Sequence, residues 1–336
     1  MENFRVGVVG CGGIAQVHGT VLQHLEGVEL VGCADIKPER AQAFAETYGG
    51  RAYSSMEELL EHEQLDAVHL CTPHYLHTPM AKLAASRGLH VFTEKPPVMT
   101  WEQWAEFRQL EQAPTRVGVC FQNRYNPSVQ LLREVLASGK AGKVRGARAF
   151  GTWHREAPYY TESGWRGSLQ TEGGGVLINQ SIHTLDLLGQ FLGRATQVEA
   201  SMMNHHLKGV IEVEDMMEAY LTFGEAHAIF YATTAYCADS PVLVELACEN
   251  ATIRMEEQEV SITWADGSKE RHSLTSKPVA GGKAYWGNSH GLCIQDFYRC
   301  VREGKPFRND IAGIADTAEL MLSMYQSARE HTVVEL

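Results

Sequence analysis

The first 35 residues constrain the fold most strongly, because they place two apolar runs on either side of a glycine-rich turn. The runs are Phe4–Val9 and Val28–Ala34, and residues 10–15, with the sequence GCGGIA, follow the first run directly. Residues 15–25 look helical, with apolar side chains at helical spacing. The second run ends at Asp35, so the order is strand, glycine turn, helix, strand and acid.

The small residues of the turn each have a physical purpose. Gly10 allows a tight turn, Gly12 lets the backbone approach a pyrophosphate, and Ala15 is small enough for the helix to pack on the strand. Phosphates would bind the N–H groups at the helix start. Asp35, about twenty residues further on, could bond both ribose hydroxyls, so the pattern predicts a dinucleotide site. The alternative is a glycine turn in some other βαβ unit. Because a 2′-phosphate would meet the charge of Asp35, we expect NAD rather than NADP.

Composition limits the possible partners and location. At 336 residues two domains are expected, and the net charge of −12, with no block of Lys or Arg, argues against nucleic acid or membrane as a partner. No apolar stretch approaches the roughly 18 residues that span a bilayer, and the early strand leaves no room for a signal peptide. The eight cysteines form no CxxC pair, and Cys33, Cys71 and Cys120 lie in apolar runs, so we expect buried thiols, a cytoplasmic location and no metal.

Strand-like and helix-like segments alternate up to residue 122, which predicts an N-terminal Rossmann domain, residues 1–122, with a doubly wound parallel sheet. Ligands of such sheets bind beyond the carboxyl ends of the strands. The residues that follow successive strands are Gly10, Asp35, Thr72, Lys95 and Asn123. We therefore expect one ligand-binding rim.

Lys95 is the predicted functional cation of this rim. A lysine after a strand is usually a solvated surface residue, but Pro96 and Pro97 follow this one directly. Two prolines fix the backbone and withhold two N–H groups, which is costly for a simple connector. We therefore expect Lys95 at the nicotinamide end of the site.

Residues 123–336 have a different pattern, with many strand-like runs joined by short turns such as Asp266-Gly267. Residues 259–264 alternate polar and apolar side chains, as a half-buried strand does. This predicts a second, α+β domain, residues 123–336, with a mostly antiparallel sheet. Two helices, at about residues 289–302 and 311–329, are expected to close the chain.

One predicted helix, residues 176–191, interrupts the strands and follows three glycines. At α-helical spacing Asn179, His183 and Asp186 lie on one side of it. The alternative is that His183 is a buried histidine with a purely structural role. The glycines, which permit close approach of a backbone, and the shared polar stripe favour a catalytic His183.

Aromatic and arginine side chains precede this helix and suit sugar rings and anionic groups. The candidate substrate residues are Arg124, Trp153, Arg155, Tyr160 and His290. The alternative is a packed surface loop.

Four motifs together resemble the glucose–fructose oxidoreductase, inositol dehydrogenase and rhizopine-catabolism (Gfo/Idh/MocA) family. They are GCGGIA with Asp35, TPHYLH at residues 72–77, EKPP at 94–97 and GGGVLINQSIH at 173–183, and the segment Gly287-Asn-Ser-His290 also matches. The resemblance implies a large open second sheet, a homodimer or homotetramer, and oxidation or reduction of a sugar or polyol alcohol with NAD(P).

The resemblance also implies site residues. The family's cofactor contacts would fall on Gly12, Gly13, Ile14, Asp35, Thr72, Pro73, Glu94 and Asn123, and Trp165 and Arg166 match positions that reach the cofactor in some members. The predicted cofactor site also includes Gly10 and Ala15 of the turn, His77 and Lys95. Lys95 would polarise the substrate oxygen and His183 would act as acid or base. Many members carry Asp where this chain has Asn179, and Asn cannot take a proton, so Asn179 is expected only to orient the substrate hydroxyl. The positive charge of Lys95 would keep His183 neutral at pH 7, ready to act as a base.

Two other functions are compatible with these residues. One is a sensor that binds NAD(H) and a sugar without turnover, although a sensor need not keep both Lys95 and His183. The other is an enzyme with tightly held NAD that oxidises and re-reduces its substrate within one cycle.

Overall fold

A computed structural model describes residues 3–274 and 289–336 of the chain. The strands within these ranges are β1 Phe4–Val9, β2 Val28–Ala34, β3 Arg51–Tyr53, β4 Ala67–Leu70, β5 His90–Thr93, β6 Val117–Val119, β7 Val144–Thr152, β8 Gln197–Met203, β9 Met216–Phe223, β10 Ala226–Thr233, β11 Leu243–Cys248, β12 Ala251–Glu256, β13 Glu259–Trp264, β14 Lys269–Ser273 and β15 Val334–Glu335. The α-helices within them are α1 Gly13–His24, α2 Pro38–Tyr48, α3 Met56–His62, α4 His74–Ser86, α5 Trp101–Arg108, α6 Pro127–Ala137, α7 Ala157–Thr161, α8 Ile182–Leu192, α9 His290–Glu303 and α10 Ile311–Glu330. None of these described helices combines the length and apolarity needed to cross a membrane.

The described chain divides into two compact units, and the first contains residues 3–122 and 289–314. Its sheet has the strand order β3-β2-β1-β4-β5-β6, and every neighbouring pair is parallel. The order reverses at β1, which places the turn after β1 at the point where such sheets bind nucleotides. The predicted doubly wound Rossmann sheet is confirmed.

The helix α9 lies in this first unit, whereas the sequence had placed residues 289–314 in the second domain. Its apolar face explains the difference. Phe297 packs on Phe92 of β5 with ring centroids 5.2 Å apart, and the Tyr298 hydroxyl lies 2.8 Å from Nε2 of His69. A helix late in the chain therefore completes the core of the N-terminal sheet.

The second unit contains residues 123–274 and 315–336. Its nine described strands have the order β14-β13-β12-β11-β7-β10-β9-β8-β15. Neighbours are antiparallel except β7 and β10, which run parallel. Side chains of β9 alternate between buried and exposed positions, as expected when one sheet face is covered. The predicted α+β organisation with a mostly antiparallel sheet is confirmed.

Candidate active site

The turn between β1 and α1 is open in front and tightly packed behind. Gly10 has φ +87°, and a Cβ there would lie 2.7 Å from the Cys71 carbonyl, so only glycine fits. A Cβ on Gly12 or Gly13 would meet no described atom within 4 Å. No side chain caps the start of α1, so its first N–H groups face this open space. The turn fits the pyrophosphate of a dinucleotide.

Asp35 is fixed beside this turn at the end of β2. Its Oδ2 accepts a hydrogen bond from the Cys11 backbone N–H at 2.8 Å, and its Oδ1 accepts one from the Lys37 N–H at 2.8 Å. The side chain is half-buried, so part of the carboxylate faces solvent. This arrangement fits an adenine ribose whose hydroxyls donate to the carboxylate.

Thr72 and Pro73 follow β4, as the sequence predicted. The Thr72 Oγ1 is buried and has no hydrogen-bond partner among the described residues. Such a buried orphan hydroxyl is costly unless a ligand satisfies it. Together with the open turn and Asp35, it shows that the residues of the first unit fit a bound nicotinamide dinucleotide.

His77, which the sequence assigned to cofactor binding, instead ties two loops together. Its Nδ1 lies 2.6 Å from the Pro96 carbonyl oxygen, and its Nε2 lies 2.8 Å from the Thr72 carbonyl oxygen. Burial lowers the pKa of this histidine. Both ring nitrogens of His77 therefore contact backbone carbonyl oxygens of two loops that carry other residues predicted to bind the cofactor.

Glu94, also assigned to the cofactor, is paired within the first unit with a histidine. Its Oε1 lies 3.0 Å from Nε2 of His18, and both side chains are buried. Burial alone would lower the pKa of His18, but Cys71 and Glu94 outweigh it and raise the pKa to about 10. Burial would raise the pKa of Glu94, and the imidazolium of His18 reverses this and lowers it. The pair is therefore a carboxylate and an imidazolium.

A second buried histidine extends this pair. Nδ1 of His18 lies 2.8 Å from Nδ1 of His69, whose Nε2 contacts the Tyr298 hydroxyl at 2.8 Å. Burial, with the charge on His18, holds the pKa of His69 well below its usual value. A charged His18 thus donates to both Glu94 and a neutral His69. We call Glu94, His18, His69 and Tyr298 the histidine network.

The backbone N–H of Lys95 donates to Glu94 Oε2 at 3.3 Å, so the histidine network holds the turn that carries the predicted catalytic lysine. His290, a predicted substrate residue at the start of α9, is buried in the same unit. Burial lowers its pKa to about 4, against the opposing influence of Glu94. His290 is therefore neutral at pH 7.

His18, Glu94 and Cys120 place possible metal-ligand atoms within 4.8 Å of one another. The His18–Glu94 contact is a hydrogen bond, which already uses the facing atoms. Burial raises the pKa of Cys120 well above its usual value, and a protonated thiol is a poor metal ligand. Hydrogen bonding accounts for this cluster.

The second unit contains the remaining predicted residues. Asn123 is buried after β6, and its Oδ1 has no hydrogen-bond partner among the described residues. Arg124, assigned to the substrate, instead donates to both oxygens of Asp186, at 2.6 and 2.9 Å. Both side chains are buried, and Thr317 also donates to Asp186. Arg124 and Asp186 therefore form a structural ion pair.

The predicted helix 176–191 begins with a π-helical turn, Val176–Ser181, and becomes α-helical only at Ile182. The wider turn changes the angular spacing between Asn179 and His183, so the α-helical argument for their shared face does not apply. A buried Glu214 accounts for the turn, because its carboxylate accepts hydrogen bonds from the N–H groups of Gly175 and Leu177.

The glycines before this turn are required by packing within the second unit. A Cβ on Gly174 would lie 2.1 Å from the Tyr325 hydroxyl, and one on Gly175 would lie 1.9 Å from the Glu214 carbonyl oxygen. These glycines therefore permit the close approach of other atoms of the protein, from Tyr325 and Glu214.

Asn179 is buried, and its Nδ2 donates to Glu172 Oε1. The other oxygen of Glu172 accepts from the Gly167 N–H at 2.5 Å. Burial raises the pKa of Glu172 to about 7, although Gly167, Asn179 and Arg166 oppose the rise. His183, the second residue of α8, is also buried.

The aromatic and arginine residues divide into two groups. Tyr160 packs in an apolar cluster with Leu207, Ile211 and Val213, so it serves the core. Arg155, predicted to bind substrate, pairs with Asp239 at 2.8 Å. The other predicted residue of this stretch, Trp153, is buried.

Trp165 and Arg166 remain half-buried. The Arg166 guanidinium lies over the rings of Tyr159 and Trp165, at 4.5 and 4.7 Å from their centroids. This stack keeps both side chains at the partly exposed side of the loop, where a ligand could contact them.

Sequence reasoning missed His18, His69 and Glu172. His18 occupies a buried position on α1 and His69 lies inside an apolar strand. A polar residue within an apolar pattern needs a partner, and this was the available signal. Glu172, directly before three glycines, carried no comparable signal.

The chain is similar to several known proteins. D-glucoside 3-dehydrogenase of Escherichia coli (strain K12) is 26% identical over 99% of this chain and 97% of its own length. Glucose-6-phosphate 3-dehydrogenase of Bacillus subtilis (strain 168) is 28% identical over 42% of this chain and 40% of its own length. The solved WlbA dehydrogenase of Bordetella pertussis, in complex with NADH and UDP-GlcNAcA, is 28% identical with a TM-score of 0.86, covering 100% of this chain and 99% of that one.

Two family descriptions match consecutive parts of the chain. Residues 4–121 match the oxidoreductase family with an NAD-binding Rossmann fold, and residues 129–254 match the GFO/IDH/MocA C-terminal domain. The chain belongs to the Gfo/Idh/MocA family of oxidoreductases.

Proposed function

We propose that the protein is an NAD-dependent oxidoreductase that moves a hydride between nicotinamide and a secondary alcohol of a sugar, inositol, glycoside or sugar derivative. The observation that carries the proposal is the open, uncapped turn at Gly12 and Gly13 beside a fixed Asp35. Family membership supports oxidoreductase chemistry. The carbohydrate class is supported by relatives named for a glucoside and for glucose 6-phosphate, and by one solved with a UDP-sugar.

Three side chains would perform the chemistry of this chain. NAD, when bound, supplies the acceptor for the hydride of the alcohol carbon. Lys95 would donate to the alcohol oxygen and stabilise its developing negative charge. His183 would take the hydroxyl proton during oxidation and return it during reduction. Asn179 would hold the substrate hydroxyl in place.

The environment of Lys95 supports its role as a cation. The carboxylate of Glu94, which the pairing with His18 keeps ionised, precedes it and accepts its backbone N–H. A neighbouring negative charge favours the ammonium form of a lysine. An ammonium can donate to the substrate oxygen throughout the reaction.

A panel of sugars, glycosides, inositols and UDP-sugars, assayed for NADH formation at about 340 nm, tests the proposal. We expect turnover with at least one class, and a loss of about 10²- to 10⁴-fold in kcat for Lys95→Ala and for His183→Ala. His183→Ala should leave the NAD affinity unchanged. Binding of NAD and sugar without turnover would instead favour a sensor. Turnover that needs no added cofactor would favour tightly held NAD.

The preference for NAD over NADP is a separate part of the proposal. Asp35→Ser removes a charged acceptor for the ribose and the repulsion of a 2′-phosphate. Loss of hydrogen bonds to a charged group, about 1.5–3 kcal/mol, corresponds to NAD binding weakened by roughly 10- to 100-fold, with NADP gaining in relative terms. Titration of both cofactors into wild type and variant measures this, and wild type binding NADP more tightly would refute it.

We further propose a cytoplasmic homodimer or homotetramer that assembles through the second sheet. Its outward side chains include Tyr220 and Ile229, which are 44% and 46% exposed. Light scattering after size-exclusion chromatography tests the oligomeric state, and Ile229→Glu is expected to weaken the assembly. A monomeric wild type would contradict it.

A further inference from the structure

Glu172 is a buried carboxylate to which no role was assigned from the sequence. It is 0% exposed, and each of its oxygens accepts a hydrogen bond from a different donor. One donor is the backbone of Gly167, in the loop that carries Trp165 and Arg166. The other is the side-chain amide of Asn179. Glu172 therefore joins that loop to the turn from which the proposed substrate-orienting residue projects.

The contact selects one orientation of the Asn179 amide. An ionised carboxylate only accepts hydrogen bonds, so it must face the amide nitrogen, and the amide oxygen then lies on the other branch of the side chain. An oxygen in that position can accept a hydrogen bond from a hydroxyl, whereas a nitrogen there could only donate one. The carboxylate thus decides whether Asn179 presents an acceptor or a donor.

We propose that Glu172 is the positioning residue that holds Asn179 with its oxygen toward the substrate hydroxyl, and that the ionised form of Glu172 is the active form. This rests on the proposed dehydrogenase function. Here the acceptor results from a pair, Asn179 held by Glu172.

Protonation of Glu172 would undo this arrangement. The proton would sit on Oε1, because the backbone N–H of Gly167 cannot turn away from Oε2, and an O–H at Oε1 cannot donate to the amide nitrogen of Asn179. The amide would then turn its oxygen to Glu172 and present its nitrogen instead. Because burial raises the pKa of Glu172 to about 7, this change falls within the physiological range.

Other charged groups act on Glu172 from the elements packed around it. The positive charge of Arg166 favours its ionisation, whereas the carboxylate of Glu214 opposes it. Tyr160 and Tyr325 also interact with its charge, and burial keeps the pKa of both phenols above the usual value, so they stay neutral.

The pH dependence of turnover tests the proposal. At saturating NAD, wild-type activity should rise with pH through about 7, so that it is roughly tenfold lower one unit below than on the plateau. Glu172→Gln cannot titrate and cannot accept on both of its atoms. We expect its kcat to fall by about 10- to 100-fold on the plateau and its limb near pH 7 to disappear.

Glu212→Gln is the matched control. The Glu212 carboxylate accepts the Leu169 N–H of the same loop at 2.9 Å but is exposed to solvent. If Glu172 only supported the loop, both variants would lower activity without removing the limb. If the rise of activity with pH near 7 persists in Glu172→Gln, the proposal is overturned.

A second measurement needs neither turnover nor a foldable Glu172 variant. The side-chain amide signal of Asn179 in a ¹⁵N NMR spectrum, identified by its loss in Asn179→Asp, should shift with an inflection near pH 7. A signal that does not titrate would overturn the positioning role even in an active enzyme. A titrating signal in a protein that turns over no sugar would refute the proposed function and leave the Glu172–Asn179 contact established.

Discussion

Glu94 and Glu172 are both buried glutamates, one in each unit, yet their pKa values shift in opposite directions. Burial raises the pKa in both cases. Glu94 faces the imidazolium of His18 at 3.0 Å, and this full positive charge reverses the shift. The Gly167 and Asn179 donors to Glu172 are neutral N–H groups, and burial outweighs them and the charge of Arg166. The charge of the hydrogen-bond donor, more than the depth of burial, decides which glutamate can titrate near pH 7.

Removing the partner of Glu94 should have the largest effect. His18→Gln leaves a buried carboxylate without its cation, and breaking a buried pair costs about 3–5 kcal/mol in the free energy of unfolding. Urea denaturation measures the loss. His24→Gln, on the exposed side of the same helix, is the control and should change little. Equal stability of the two variants would mean that His18 does not carry the charge.

The titration of Glu172 should give the next largest effect. A raised pKa means that the native state holds the proton more tightly than the unfolded chain does. The contribution of Glu172 to the free energy of unfolding is therefore complete below about pH 4.5 and is lost as the pH rises through about 7. The shift corresponds to at most about 3 kcal/mol. The free energy of unfolding of wild type, measured at several pH values, should fall relative to that of Glu172→Gln between about pH 5 and about pH 8. A constant difference would contradict the raised pKa.

The lowered pKa of Glu94 gives the opposite sign. Its contribution to stability is present above the ordinary glutamate pKa and is lost only as the pH falls through the lowered value. The two glutamates therefore weaken the fold in different pH windows.

Tyr325→Phe should have a smaller effect. The Tyr325 hydroxyl donates to Glu214 at 2.8 Å and accepts the Ile178 N–H at 3.2 Å. Its loss removes this acceptor from the Ile178 N–H and one of the donors to Glu214, which keeps those of Gly175 and Leu177. We expect a loss of about 1–3 kcal/mol in the free energy of unfolding. Tyr236→Phe, at a position 44% exposed, is the control. If both variants unfold alike, the hydroxyl does not stabilise the π-helical turn.

Thr317→Val should have the smallest effect. Its hydroxyl donates to Asp186 at 2.6 Å, but Arg124 still pairs with both oxygens of that carboxylate in the variant. A loss of about 0.5–1.5 kcal/mol is expected, measured by urea denaturation against the exposed Thr263→Val. A loss as large as that of His18→Gln would show that the Arg124 pair alone cannot hold the charge of Asp186.

The sequence predicted those parts of the molecule whose structure is determined by residues adjacent in the chain. The glycine turn with Asp35 and the strand Glu259–Trp264 were both read from neighbouring residues, and the structure has the strand at those bounds. Long-range pairing determined the rest. The π-helical turn depends on Tyr325, 147 residues beyond Ile178, and Glu94 depends on His18, 76 residues before it. A short stretch of sequence does not contain such partners, so it also gave no sign of the contacts that Arg124 makes with Asp186 and His77 with the Pro96 carbonyl.

The contact between Gly174 and Tyr325 links the far end of the chain to the segment that carries Asn179. Trimming the C-terminal helix before Tyr325 would therefore disturb the proposed site, although the cut falls well over a hundred residues downstream. Anyone shortening this protein for expression should expect lost activity from a deletion that spares every proposed catalytic side chain.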